Sequence, residues 1–214
     1  MTRRAIDLSV YLVTDPVLAR RHGLIETVRA AVAGGATAVQ LRDKHAGDAA
    51  MVEQARAIQT IVRPLGVPLV INDRVEVAIA VGADALHIGQ DDLAPRLARE
   101  RIGPTMALGL SAGDEQEILT VDPAIVDHVG MGPFAATSTK PDASAPLGAT
   151  RFAALRARVP LPVVAIGGIG AANAADAIRA GADGIAVVSA ICGADDPEAA
   201  TRRLADIVRR ARAR

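Results

Sequence analysis

Cysteine and aromatic residues are scarce in this chain of 214 residues, which has one cysteine, one tyrosine, two phenylalanines and no tryptophan. Because Cys192 is the only cysteine, no intrachain disulfide can form, and nothing requires an oxidising compartment. A bound ring therefore has to stack mostly on aliphatic or amide surfaces. The sequence also contains no Walker loop, no ordered Ser-His-Asp set and no Cys/His spacing typical of a metal site.

Long apolar runs and net charge are missing as well. No run approaches the ~20 residues that span a bilayer, and the first residues lack the apolar core of a signal peptide. The 24 basic residues balance the 24 acidic ones, so no overall field favours nucleic acid or an anionic membrane. The basic end of the chain, RRLADIVRRARAR, fits an amphipathic closing helix better than a nucleic-acid patch. We expect a cytoplasmic protein that binds neither nucleic acid nor a membrane.

Eight short apolar runs, each ending in polar residues and leading into a helix-like stretch, organise the chain. In order they read VYLVTD, AVQLRDK, PLVINDR, ALHIGQDD, LGLSA, VDHVGMG, PVVAIGG and GIAVVSA. Continuous rather than alternating apolar runs indicate strands buried on both faces, as in a parallel sheet. With half of the residues apolar, one sizeable core is available. The pattern predicts an α/β fold, a single (β/α)8 TIM barrel domain over residues 1–214, with its functional groups on one rim.

A doubly wound open sheet is the alternative fold, but the even spacing of the eight units favours a closed barrel. A weak repeat supports this division, since GGATAVQ, GADALHIG and GADGIAVV each place Gly-Ala-x between a helix end and a strand. Glycine there suits a left-handed helix cap. Apolar residues at helical spacing predict a helix over residues 48–62. Further helices are expected at about residues 24–33, 75–81, 93–101, from residue 114, 173–180 and 197–214, and residues 133–147 are expected to form a long polar loop.

Basic residues follow the second predicted strand. Alternation sends Gln40, Arg42 and Lys44 to the same side, so this polar trio is expected to point into the barrel mouth. Burying such groups without an anionic partner costs free energy. We therefore favour an anion site over the alternative, an exposed loop with paired surface charges.

Carboxylates end the next two strands. Asp73 closes the third and Asp92 follows the fourth, with Asp91 as its competitor, and a barrel brings neighbouring strand ends together. Two carboxylates with open positions are what Mg²⁺ uses when substrate phosphates supply the remaining ligands. Taken alone, Asp92 is equally well explained as an N-cap and Asp73 as an ion-pair partner of Arg74. The nearby basic residues make a metal–phosphate site the better interpretation.

Further polar groups lie after the later strands. The TSTK segment at residues 137–140 suits a phosphate or a polar heterocycle, or is a solvated turn. Ser111 is either a hydrogen-bond donor to a leaving group or a helix cap. Gly168 and Ser189 follow strands seven and eight, whose loops commonly bind phosphate through backbone N–H groups. His87 is interpreted as a hydrogen-bonded lining residue rather than a base, and Cys192 as structural.

The ordered blocks YLVTD, QLRDK, IND, GQDD, GPFAATSTK, AIGGI and VVSAI, which run from Tyr11 to Ile191, closely resemble the thiamine phosphate synthase family. The resemblance implies an enzyme that joins hydroxymethylpyrimidine diphosphate to thiazole phosphate, or its carboxylated form, and releases pyrophosphate. It implies Mg²⁺ as the cofactor and the two small molecules as the partners, and it is compatible with a homo-oligomer.

Carried over by position, the resemblance implies a role for each polar block. The pyrimidine diphosphate would be bound by Gln40, Leu41, Arg42, Asp43, Lys44 and Asn72, and Mg²⁺ by Asp73 and Asp92. Ser111 and Lys140 would contact the departing diphosphate. The thiazole would be bound by Thr137, Ser138 and Thr139, and its phosphate by Gly168, Val188 and Ser189. Arg42, Lys44, Ser111 and Lys140 would be the catalytic set, because loss of diphosphate needs cations and donors rather than a strong nucleophile.

Two departures from the family pattern keep rivals open. Members often carry a His where this chain has Gly113, which argues against the related thiazole tautomerase, because that enzyme uses a His in this region. Phe134 precedes Ala135 and Ala136, which leaves the packing around the thiazole open. The enzymatic rivals are a thiazole tautomerase-like enzyme and another phosphate-handling barrel, and the non-enzymatic rival is a barrel that binds thiazole phosphate without turnover. One monophosphate does not need two anion sites, so the synthase is favoured.

Overall fold

The computed structural model describes residues 5–137 and 144–213, and within these ranges eight parallel strands close into one barrel. Each strand pairs with the next one along the chain, and β1 completes the ring by pairing with β8. The strands are β1 Val10–Val13, β2 Ala38–Leu41, β3 Leu69–Asn72, β4 Ala85–Ile88, β5 Ala107–Ser111, β6 His128–Met131, β7 Val163–Ile166 and β8 Gly184–Val187. The predicted TIM barrel is confirmed, and the open sheet is wrong.

Helices follow the strands and cover the outside of the barrel. They are α1 Leu24–Ala33, α2 Asp48–Val62, α3 Val75–Val81, α4 Pro95–Ile102, α5 Glu115–Leu119, α6 Gly148–Arg156, α7 Ala174–Arg179, α8 Ser189–Cys192 and α9 Pro197–Arg212, with 3-10 turns at Leu18–Arg21 and Arg63–Leu65. The helices predicted at residues 24–33, 48–62 and 75–81 have their predicted bounds, and the other predicted helices begin or end one or two residues away from theirs. No helix in the described part of the chain is long and apolar enough to cross a membrane.

Apolar side chains form two layers because successive strand residues point to opposite faces. The larger cluster fills the space between strands and helices and includes Leu41, Ile71 and Val129. A smaller cluster fills the barrel interior and consists of Leu8, Tyr11, Val13, Ala38, Val70, Ala85, Ala107, Val164 and Ala186. On β2, β3 and β4 a polar residue follows the interior apolar residue by two positions, as Gln40 follows Ala38, so the barrel interior is polar at the carboxyl ends of these three strands.

The Gly-Ala-x repeat has a structural role at the lower rim. Its glycines Gly35, Gly82 and Gly181 have φ of 103°, 59° and 99°, so they end the helices in the left-handed conformation predicted for them. The residue before a strand accepts a side-chain hydrogen bond from an N–H of the preceding strand. The pairs are Thr37 with Val10 (3.0 Å), Asp84 with Leu69 (2.9 Å), Asp127 with Leu108 (2.8 Å) and Asp183 with Val163 (2.8 Å).

Candidate active site

Polar side chains from adjacent strands meet at the carboxyl end of the barrel. Gln40 is buried, and its Nε2 donates to the hydroxyl of Tyr11 at 2.8 Å. Asn72 stands opposite His87 in the β3–β4 register. Burial raises the pKa of the Tyr11 hydroxyl, so this group stays protonated. These residues form the floor of the mouth.

The loop after β2 is tied to β1. Thr14 is fully buried, and its hydroxyl accepts from the backbone N–H of Arg42 at 2.9 Å and donates to the Arg42 carbonyl at 3.4 Å. Leu41 packs its side chain in the outer layer, so only its backbone can face a ligand. Asp43 Oδ1 accepts from the N–H groups of the two residues that begin the following turn. The sequence alone did not reveal the role of Thr14.

Lys44 and Asp73 form an ion pair across the mouth, between the loops after β2 and β3. Asp73 has φ of 60°, and among the described residues it is the only non-glycine with positive φ. Its N–H donates to the His87 carbonyl at 2.8 Å, so the turn is anchored to β4. Such a left-handed residue costs about 1–3 kcal/mol and is typical of functional sites.

Asp73 and Asp92 lie close enough to shift each other's pKa, and the two pKa values move apart. Burial raises the pKa of Asp73, and the contact with Asp92 raises it further. Although burial opposes it, the pKa of Asp92 falls because its carboxylate accepts from Asp73 and from the Gly89 N–H at 2.7 Å. Two carboxyl groups this close favour sharing one proton or one cation.

The competing explanations for these carboxylates are wrong. Arg74 pairs with Asp48 at 2.5 Å rather than with Asp73. Helix α4 begins at Pro95 with Ala94 as its N-cap, so Asp92 does not cap it. The neighbouring Asp91 is exposed.

Ser111 lies at the end of β5, and its hydroxyl is 3.0 Å from Nε2 of His87. Its carbonyl accepts from the Gln90 side chain at 2.6 Å. Ser111 is not a helix cap, because Asp114 caps α5 through the N–H groups of residues 116 and 117. The predicted interpretation of His87 as a hydrogen-bonded lining residue agrees with this contact.

The loops after β7 and β8 meet on the opposite side of the mouth. Gly168 has φ of 65°, and a Cβ there would overlap the carbonyl of Ala136 in the β6 loop. Asn173 ties the β7 loop together by donating to the Gly168 carbonyl at 2.8 Å. After β8, Val188 caps the short helix α8, which starts at Ser189. The first N–H groups of a helix have no intrahelical partner, so this side offers backbone donors.

The β6 loop is only partly described. Thr137 lies at the end of the described segment and is half-buried, whereas Ser138, Thr139 and Lys140 lie outside the described residues. Phe134 is buried, and its ring packs edge-to-face on Phe152 with centroids 5.4 Å apart. This aromatic residue therefore belongs to the outer core.

The mouth thus has two halves of different chemistry. One half holds the cation of Lys44 beside the carboxyl groups of Asp73 and Asp92, with the Arg42 backbone fixed nearby by Thr14, and the other half holds glycine-rich turns with backbone donors. Carboxylate oxygens are ligands that would suit a hard cation such as Mg²⁺. Backbone N–H groups suit a second phosphate. The arrangement can hold two anionic small molecules side by side.

Known proteins resemble this chain over almost its whole length. A sequence profile described as thiamine monophosphate synthase matches residues 10–191. A thiamine-phosphate synthase from Xanthobacter autotrophicus is 54% identical over 209 residues, which are 98% of this chain and 99% of that protein. One from Azorhizobium caulinodans is 52% identical over 206 residues, or 96% and 97% of the two chains. A solved thiamine phosphate pyrophosphorylase from Pyrococcus furiosus is 36% identical, with a TM-score of 0.88 and coverage of 96% and 97%.

Proposed function

The chain belongs to the thiamine monophosphate synthase family and is a transferase of thiamine biosynthesis, and we propose how its barrel mouth makes thiamine phosphate. The reaction joins hydroxymethylpyrimidine diphosphate to thiazole phosphate and releases pyrophosphate. The observation that carries the site assignment is the cluster of Lys44, Asp73 and Asp92 at adjoining strand ends. That cluster pairs a cation with two carboxyl groups, which is what a diphosphate with its metal requires.

Mg²⁺ fits the residues that the family resemblance assigns to it. Asp73 and Asp92 offer two neighbouring carboxyl groups, and the pKa of the half-buried Asp73 is raised by desolvation and by the second acid. No group of three or more His, Cys, Asp or Glu residues that could hold a metal ion is found in the described ranges, so a bound Mg²⁺ would take its further oxygens from substrate and water. When bound, Mg²⁺ supplies positive charge against the diphosphate oxygens.

The chain's own residues bind and orient the diphosphate substrate. Gln40, Asn72 and the backbone of residues 41–43 hold the pyrimidine end, while Arg42 and Lys44 face its diphosphate. The Arg42 backbone is fixed by Thr14, so the cation starts from a rigid position. Fixed charges of this kind stabilise a leaving group without reorganising during the reaction.

Departure of the diphosphate leaves a cation on the pyrimidine methylene, which the thiazole nitrogen then attacks. Ser111 and Lys140 donate to the departing oxygens, residues 137–139 contact the thiazole, and Gly168, Val188 and Ser189 hold its phosphate. Because both reactants are held side by side, much of the entropic cost of their meeting is removed. No general base is needed at the reacting atoms.

Pyrophosphate release tests this proposal. Purified protein is given the pyrimidine diphosphate, thiazole phosphate and Mg²⁺, and each component is omitted in turn. We expect release only when all three are present. Thiazole phosphate binding without release would instead support a non-catalytic binding barrel. The cytoplasmic location and a homo-oligomeric state stay predictions.

A further inference from the structure

Two buried histidines lie directly beneath Ser111, and the proposed reaction does not use them. His87 on β4 and His128 on β6 flank Gly109 of β5 in register. Their ring centroids are 5.7 Å apart, and both side chains are more than nine-tenths buried. Burial lowers the pKa of His87 to about 4 and that of His128 to about 3. Both rings are therefore neutral at neutral pH, with one N–H and one lone pair each.

The two rings turn one nitrogen each toward the same small space. His87 Nδ1 and His128 Nε2 are buried and have no hydrogen-bond partner among the described residues. A Cβ on Gly109 would overlap both of these nitrogens, so only glycine leaves room for them. Two N–H groups aimed into one space repel each other, and two lone pairs leave both nitrogens unsatisfied. The favoured state has one N–H and one lone pair there.

The other nitrogen of His87, Nε2, lies 3.0 Å from the Ser111 hydroxyl. If His87 Nε2 accepted a hydrogen bond from the Ser111 hydroxyl, Ser111 would offer only lone pairs to a ligand in the mouth. If His87 Nε2 donates, the serine proton is free to point at an anion. The state of the buried nitrogens therefore decides what Ser111 presents to the mouth.

We infer that His87 is a positioning residue that makes Ser111 a donor toward the departing diphosphate. His128 carries its proton on Nε2, facing the lone pair on His87 Nδ1, and His87 carries its proton on Nε2 and donates it to Ser111 Oγ. Ser111 then donates its own proton out of the barrel. The inference rests on the proposed function, because a donor at Ser111 matters only where an anion departs.

Nitrogen NMR of the unmodified chain tests the inference without any turnover. In protein labelled with ¹⁵N-histidine, two-bond couplings identify which ring nitrogen carries the proton. Variants His87→Gln and His128→Asn assign the two rings. We expect the Nε2–H tautomer for both His87 and His128. A proton on Nδ1 of His87 would overturn the inference, whether or not the protein releases pyrophosphate.

A kinetic double-mutant cycle tests the same link in the reaction. His87→Phe removes one hydrogen bond, so we expect kcat to fall about tenfold. KM for both substrates should change by less than about twofold. In a Ser111→Ala background the same change should have almost no effect, because the partner is gone. His87→Gln, whose amide can donate to Ser111, should restore part of the rate. An equal loss in both backgrounds would show a merely structural role and overturn the inference.

The failures of the two ideas are distinguishable. If the unmodified chain releases no pyrophosphate, the proposed function fails while the histidine tautomers are still measured. If release is normal but the cycle is additive or the tautomer is reversed, the proposed function stands and the role of His87 is wrong. Thermal unfolding of each variant separates loss of rate from loss of fold.

Discussion

Asp73 combines two features that each oppose folding, a left-handed backbone and a half-buried carboxyl group beside another acid. Aspartate tolerates positive φ better than most residues, and the turn it makes directs its carboxyl group toward Lys44 and Asp92. At the scale of single residues, the strained position coincides with the proposed metal–diphosphate site.

Replacing Asp73 by Asn should raise the Mg²⁺ requirement sharply. Asn also tolerates a left-handed backbone, so the change removes charge while keeping the turn. We expect the Mg²⁺ concentration for half-maximal pyrophosphate release to rise about tenfold or more. Asp91→Asn, which removes an exposed neighbouring charge, should leave that titration unchanged. If Asp73→Asn also leaves it unchanged, the ion is held elsewhere.

Replacing Lys140 by Ala should lower the rate far more than it weakens binding of thiazole phosphate. The proposed role of this cation is to stabilise the departing diphosphate, and losing one such donor costs about 100-fold in kcat. Calorimetry should give a Kd for thiazole phosphate within about twofold of the original. Arg151→Ala removes an exposed cation of α6 as the control. Unchanged turnover of Lys140→Ala would remove its leaving-group role.

At the scale of elements, the barrel strands are joined by a repeated hydrogen bond outside the regular ladder. A side-chain oxygen just before one strand accepts from the preceding strand, as Asp183 Oδ2 does from the Val163 N–H at 2.8 Å. Asp183 also pairs with Arg156 at 2.9 Å. The Gly-Ala-x repeat therefore does two tasks, ending a helix and fixing the start of a strand.

Asp183→Ala should destabilise the fold through this bond. The N–H of Val163 and the guanidinium of Arg156 both lose an acceptor, and we expect the free energy of unfolding to fall by about 1–2 kcal/mol. Asp176→Ala removes an exposed ion pair with Arg179 on α7 and should cost less than about 0.5 kcal/mol. Urea unfolding of both variants measures the difference. Equal effects would show that the strand contact contributes nothing.

At the scale of the whole molecule, the barrel interior changes from apolar to polar along its axis. The lower part is filled by the cluster around Tyr11 and Val70, and the upper part holds Gln40, His87 and His128. Both histidines are buried in the neutral form. Stability of the closed barrel is therefore coupled to pH.

Acidification should destabilise the fold through the two histidines. Their pKa values fall from 6.5 to about 4 and about 3 on folding, so below pH 6.5 the unfolded chain binds protons that the folded chain does not. The contribution of the two neutral histidines to the free energy of unfolding is fully present above pH 6.5. It decreases as the pH falls, by about 2 kcal/mol for each histidine at pH 5. In urea unfolding, His128→Asn should remove the part of the pH dependence that comes from one buried histidine. His45→Asn, at an exposed site, should leave the pH dependence unchanged. If the free energy of unfolding of His128→Asn depends on pH as it does in the unmodified chain, His128 does not destabilise the fold in acid.

The sequence by itself predicted the barrel and its polar rim, and the family resemblance named most of the candidate residues. Runs of apolar residues report burial on both faces, and polar residues at run ends report the rim, because both are local properties of the chain. The tertiary structure decided the partnerships, such as Lys44 with Asp73 rather than Arg74 with Asp73, and the outward packing of Leu41. It also placed His87, His128 and Ser111 together. These contacts join residues on different strands, and they depend on the register between strands, which apolar runs do not specify.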